Sequence, residues 1–327
     1  MRPGPVLIEP EAHAPGLVRL WNASAGVEFP LDERLFLQQL RLDTDPRRCF
    51  AFVEPDGSIS AAALVKRAAR TGPSGTVPAT GYLSWLVVDA DHRRQGLATS
   101  LLNKARTWLS SLKATSLRFG SDHYHLLPGR PMEQGAGYKA LESFLGKQGF
   151  VGEAEEYDLM ANLADSVGPA VEPAGTNRRF VFQPFSPDKQ TAVIEFMHRN
   201  FPGRWTHEAV EAIAAGMRPA DLMLAVDMAD GAVAGFSRIY DGSSPILGPG
   251  VYWRSLMGSN PGGLGPIGID ASKRGAGLGH GLLVHCLHEL RTRGVDTMVI
   301  DWTDLINFYG KSGFKVWKRY EPTSAPL

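Results

Sequence analysis

Hydrophobic positions along the chain fall into two runs of elements in the same order. In the first run, VLIEP (6–10) reads as a short strand, while GLVRLWNASAG (16–26) and DERLFLQQLRL (32–42) place apolar residues at helical spacing. RCFAFVEPDGSISAAALVKRA (48–68) reads as a hairpin, because two alternating runs flank the turn residues Pro55, Asp56 and Gly57. GYLSWLVVD (81–89) is a continuous apolar strand. The helix that follows carries Leu97, Leu101, Leu102, Ala105 and Leu109 on one face. A strand SLRFG (116–120), a helix within 137–148 and a last strand region at 149–163 complete the run.

The order then recurs: strand 179–185, helices 187–201 and 206–217, hairpin 222–240, strand 265–270, helix 277–294, strand 297–302, helix 305–313 and strand 314–320. Between the runs, DSVGPAVEPAGTNRR is rich in Gly, Pro, Ala and Ser and has no apolar period, so it reads as a linker. The expected organisation is two α+β domains, 1–164 and 179–327, joined by a linker at 165–178. Spacing supports a duplication. Gly96 and Gly277 are 181 apart, whereas Phe150 and Phe314, each closing a Gly-Phe pair, are 164 apart. The extra 17 residues of the first half fall in the segment 119–137.

Composition narrows the chemistry. Lys plus Arg (34) equals Asp plus Glu (34), so no overall field favours nucleic acid, and no nucleic-acid partner is expected. Two distant cysteines, Cys49 and Cys286, give neither a disulfide framework nor a zinc knuckle. No signal-peptide core or membrane-length apolar run stands out, so no membrane association and a cytoplasmic location are expected.

The chemistry concentrates at the two strand-to-helix junctions, VDADHRRQGLA (88–98) and IDASKRGAGLG (269–279). A helix begun through small residues leaves its first N–H groups without intrahelical partners, and glycine lets an anion approach that backbone. GLGPIG (263–268) formally matches a dinucleotide fingerprint, but Pro266 interrupts it and a strand rather than a helix follows. Neither junction has the Gly-Lys-Ser/Thr of a Walker loop.

RRQGLA (93–98) and RGAGLG (274–279) both fit Arg-x-x-Gly-x-(Gly or Ala) after a buried strand. The chain resembles, over nearly its whole length and twice, the GNAT superfamily of acetyl-CoA-dependent N-acetyltransferases, whose signature this is. The tandem arrangement is similar to that of mycothiol synthases and bacterial glucosaminide acetyltransferases. The resemblance implies two GNAT-like domains, each a mixed, mainly antiparallel sheet flanked by helices. It implies acetyl-CoA as cosubstrate, without a metal, held at Val88, Arg93, Arg94, Gln95, Gly96 and Ala98 in one half. In the other half, Ile269, Arg274, Gly275, Gly277, Gly279 and Asn307 would hold it. It further implies a small-molecule amine acceptor and a monomer or homodimer.

In INFYGKSGF (306–314), Tyr309 stands where relatives carry the general acid for the leaving thiolate. Leu145 stands at the matching place of the first half and donates no proton, so that half is expected to have lost catalysis, unless Tyr138 or Tyr124 substitutes. Asp301 is the first candidate for the base. Two other readings stand beside the enzyme: a non-catalytic acetyl-CoA-binding module, and an aminoacyl-tRNA-dependent transferase with paired GNAT-like domains. Asp122, His123 and His125 suggest a loop or contact rather than a metal site, and His285 and His288 a packed helix face. Trp205, Trp253 and Trp302 would fill the core or stack on a sugar.

Overall fold

The computed structural model describes residues 3–69, 79–163, 179–275 and 277–327; the expected linker at 165–178 lies outside them. Its elements run β1 (Val6–Ile8), α1 (Ala14–Ala25), α2 (Glu33–Leu42), β2 (Arg47–Val53), β3 (Ile59–Arg67), β4 (Thr80–Val88), α3 (Leu97–Ser111), β5 (Ser116–Phe119), β6 (Arg130–Pro131), α4 (Ala136–Lys147), β7 (Val151–Gly152) and β8 (Glu156–Asn162). They continue as β9 (Phe180–Pro184), α5 (Gln190–Asn200), α6 (Arg204–Ala214), β10 (Leu222–Asp227), β11 (Val233–Asp241), β12 (Pro261–Ile269), α7 (Leu278–Thr292), β13 (Thr297–Thr303), α8 (Ile306–Gly310), β14 (Lys315–Glu321) and β15 (Thr323–Pro326).

Two compact units form, each a mainly antiparallel sheet flanked by helices, as expected. In the first, the sheet order is β1-β2-β3-β4-β5-β15-β7. Among the described residues its single parallel contact is β4 with β5. The second has β14-β8-β13-β12-β11-β10-β9, with β12 parallel to β13. The periodic helices bury the faces their spacing predicts. Leu97, Leu101, Leu102, Ala105 and Leu109 of α3 are buried, as are Leu278, Leu282, Leu283, Cys286 and Leu290 of α7. Each fully buried leucine contributes about 1.5–3 kcal/mol.

The units are not the contiguous halves 1–164 and 179–327. One is Met1–Glu156 with Lys318–Leu327, the other Tyr157–Trp317. The cause is an exchange of equivalent strands. β8, expected to close the first sheet, pairs antiparallel with β13, Asn162 opposite Thr297. β15, its counterpart 164 residues on, pairs with β5, Pro326 opposite Ser116. Both registers are the same once the 181 and 164 spacings are applied, so each sheet receives the strand that the other half of the sequence encodes. The segment 119–137 is pinned within the first unit. Lys66 Nζ, 2% exposed, sits between Asp43 (2.7 Å) and Asp122 (2.5 Å) and donates to the His123 carbonyl. His123 Nδ1 lies 3.0 Å from Asp45, and Gln39 donates to the Tyr124 carbonyl. His123 serves the loop's attachment.

Candidate active site

In both units a parallel strand pair parts midway. β4 and β5 pair from Thr80–Ser116 to Leu83–Phe119 and no further; β12 and β13 pair from Pro261–Thr297 to Leu264–Ile300 and no further. A register break lies just past each parting point, where β4 and β12 carry one residue more than their antiparallel neighbour. Such a bulge bends the strand away from its partner. In the second unit the bulge includes Gly265, whose carbonyl accepts from the buried Tyr240 hydroxyl at 2.8 Å.

Each parted strand leads into its junction in the same way. Asp89 and Asp270 accept from the amides of Asp91 and Ser272, which closes the turn. Hydrogen bonds from the Ser272 hydroxyl and amide hold the Asp270 carboxyl below its usual range, a capping role rather than that of a base. Arg93 Nε reaches back to the Val88 carbonyl at 3.2 Å and Arg274 Nε to that of Ile269 at 3.1 Å. Both arginines thereby brace the turn. Gly96 and Gly277 are the N-caps of α3 and α7, with φ of 80° and 79°. A Cβ at Gly96, Gly275 or Gly277 would meet nothing within 4 Å, so open space borders the first-turn amides. That space, beside unpaired N–H groups and a helix N-terminus, fits a phosphate group. Arg94 and Gln95 are exposed beside it, while Ala98 and Gly279 are half-buried in the first turn of each helix.

Chemistry at the parting point differs between units. Asp301 is the first residue of β13 beyond the last pair and lies in a second bulge, between Ile300 and Thr303. Its Oδ1 is shielded from solvent and has no hydrogen-bond partner among the described residues. A Cβ added at Gly265 would run into this carboxylate. Burial, reinforced by the Asp158 carboxylate and opposed by Arg204, pushes Asp301 up to about 7. Asp158 belongs to the exchanged β8 and accepts the Trp302 N–H at 3.0 Å. Reading the halves separately misses it. Trp302 is half-buried with φ of 39° and carries the Arg204 guanidinium 4.1 Å from its ring centroid.

Tyr309 is 4% exposed against Phe308 and Phe314, and burial, then the Asp301 charge, pushes its phenol up, so it stays protonated. Asn307 is exposed on α8. In the first unit the equivalent of Asp301 is Gly120, and that of Tyr309 is Leu145, 1% exposed. Tyr138 lines the cavity there, but its hydroxyl is engaged by Glu28 at 2.9 Å. Burial raises both thiols to about 12, which leaves neither as a nucleophile. Burial lowers His285, whose ring packs on Phe182. Trp253 is core, whereas Trp205 is half-buried. Among the described residues, no group of three or more His, Cys, Asp and Glu side chains is placed to hold a metal, and no helix is long and apolar enough to cross a membrane.

Comparison with solved structures places the same architecture elsewhere. The glucosamine N-acetyltransferase region of a fungal multi-domain GH3 β-N-acetylglucosaminidase superposes with a TM-score of 0.87 at 21% identity, over 99% of this chain and 38% of that one. This chain thus spans well under half the length of that protein. A GCN5-related N-acetyltransferase from Sphaerobacter thermophilus gives 0.69 at 19% identity, over 100% and 97% of the two chains. A tandem GNAT protein from the clavulanic acid biosynthesis pathway gives 0.68 at 18%, over 99% and 97%. A search of the curated proteins finds no match. The model of the acetyltransferase (GNAT) family matches residues 15–124 and again 191–314. The chain belongs to the acetyltransferase (GNAT) family and carries its fold in tandem.

Proposed function

We propose that this protein moves an acetyl group from acetyl-CoA to the primary amine of a small molecule, that the second unit carries the reaction, and that the first holds a coenzyme without catalysing transfer. The observation that supports the reading is the asymmetry at two equivalent partings. Both have the open amide cradle, but only the second has a carboxylate near neutrality and a buried phenol beside it.

When bound, the coenzyme supplies an acetyl thioester. The α7 first-turn amides with Gly275 and Gly277 would hold its diphosphate, and Asn307 its pantetheine arm. The Ile269 backbone would polarise the thioester carbonyl. Asp301, half ionised near neutral pH, takes one proton of the ammonium so that the amine can attack, and Tyr309 gives its own to the departing sulfur and regains one from the nitrogen of the tetrahedral adduct. No covalent intermediate on the protein is required.

A screen of amines, including hexosamines and aminoglycosides, with release of coenzyme A as readout, tests this. Turnover with at least one amine, abolished in Asp301→Asn, supports it. Saturable coenzyme binding without turnover on any amine would leave a binding module instead.

A further inference from the structure

The cavity of the first unit is built for more than the acetyl group that its parting strands suggest. It encloses about 450 Å³, within the usual range of small-ligand sites, and runs from the junction residues Arg93, Arg94 and Gly96 into the parting of β4 and β5. Its inner walls are Trp21, Phe29, Trp85, Phe119, Leu127 and Phe144. Trp85 lies three residues back along β4 from Val88, about 10 Å from the junction. It meets Trp21 edge-on at 6.3 Å. Leu127 stands beside Gly120, the residue just past the last β4–β5 pair, since a Cβ there would strike the Leu127 carbonyl.

Asp122, on the loop after β5, is the buried carboxylate of this region; its Oδ2 is engaged, while its Oδ1 is shielded from solvent with no hydrogen-bond partner among the described residues. The Ser84 hydroxyl donates to Asp122 Oδ2 at 3.0 Å, and the same oxygen accepts from the Lys66 ammonium, which Asp43 shares. At the rim, the Tyr138 hydroxyl donates to Glu28 and its ring stands edge-on to Phe29 at 6.2 Å, joining α4 to the loop after α1. The second unit is unlike this at the same place. There Asp301 occupies the parting, and Phe201, Trp205 and Phe236 pack on one another beside β12.

We infer that the first unit binds an acyl-CoA whose acyl group is larger than acetyl and apolar, a medium-length alkyl chain or an aromatic ring, with the chain lying between Trp85, Phe29 and Leu127. An acetyl group covers little of this wall, and among the described residues no Asp or Glu lines it to pair with an ammonium group. A hydrocarbon chain buries it, and each methylene removed from water adds roughly fourfold to affinity. The inference rests on the reading that the first junction holds the coenzyme diphosphate.

The test is calorimetric titration of the full chain carrying Gly277→Asp, which closes the second cradle, with coenzyme A, acetyl-CoA, octanoyl-CoA and benzoyl-CoA. Octanoyl-CoA has six methylenes more than acetyl-CoA; with half of them buried it binds about sixtyfold tighter. Leu127→Trp, which fills the inner end, removes that preference and leaves the affinity for coenzyme A within about threefold. Should Leu127→Trp fail to fold, the ligand series on the parent chain still decides. Equal affinity for acetyl- and octanoyl-CoA overturns the inference while leaving the coenzyme site in place. Absence of binding by coenzyme A itself overturns the underlying reading of the first junction.

Discussion

At Asp301, the burial that raises the carboxyl to about 7 also makes it a source of instability above neutrality. The unfolded side chain titrates near 4, so between about pH 4 and 7 the folded state holds a proton that the unfolded state has lost. Its favourable contribution is complete below pH 4 and is lost as pH rises through 7. Asp301→Asn is therefore expected to raise Tm at pH 8 and leave it nearly unchanged at pH 4, while turnover falls roughly a hundredfold or more. Calorimetry at the two pH values, beside a kinetic assay, checks both signs. Turnover of the parent chain should rise with pH through about 7, and Asp158→Asn should move that limb to lower pH, because it removes a like charge and keeps an acceptor for the Trp302 N–H. A limb that stays put would exclude Asp158 as a contributor beside burial. Tyr309→Phe should cost tenfold or more in turnover and only a few-fold in coenzyme affinity. Tyr309 was legible because it sits in a local motif five residues before Phe314. Asp158 was not, since nothing near residue 158 indicates which sheet its strand will join.

The junctions were the most legible elements, because their requirements are local: a buried strand, a capping aspartate, a glycine in the left-handed region and an amphipathic helix. The two cradle glycines make different demands. Gly277 has φ of 79° with open space beside it, whereas a Cβ at Gly279 would make ordinary contacts with Ile269 at 3.5 Å and Phe308 at 3.9 Å. Alanine already stands at the equivalent position 98. Gly279→Ala should keep coenzyme affinity within about threefold, while Gly277→Asp, which sets a carboxylate against the diphosphate, should reduce binding to the second unit by a hundredfold or more. Titration of a folded variant with unchanged affinity would remove the cradle assignment. The segment 119–137 was illegible for the opposite reason. It has no apolar period, and what fixes it is a buried ion cluster whose members, Lys66, Asp43 and Asp122, come from three distant stretches. Burial alone would lower Lys66, but the two carboxylates outweigh it and hold its ammonium charged. Lys66→Met leaves both carboxylates buried without a counter-charge and should destabilise the first unit by about 3–5 kcal/mol in urea unfolding.

For the molecule as a whole, the strand exchange decides what folds. A repeat in sequence invites the view that each half is self-sufficient, and the hydrophobic pattern cannot contradict it, because β8 and β15 would complete either sheet with the same register. The structure assigns each to the other half's sheet. The first unit thus depends on residues 318–327 for a strand between β5 and β7 and for Tyr320, fully buried and 6.2 Å from Phe29. Residues 1–165 alone keep β8 without its partner and lack β15, leaving the inner edges of β5 and β7 unpaired and Phe29 uncovered on its Tyr320 side. Open edges and an uncovered ring favour aggregation over a cooperative fold. Residues 1–156 joined through a flexible glycine-serine linker to 318–327 restore every strand of the first sheet. The linked form is expected to unfold in one cooperative thermal transition and to retain coenzyme binding. The 1–165 fragment should lack such a transition and bind a hydrophobic dye. A 1–165 fragment that melts cooperatively near the temperature of the linked form would mean that β8 takes the place of β15, so that the exchange is one of two nearly equal pairings and not a condition for folding.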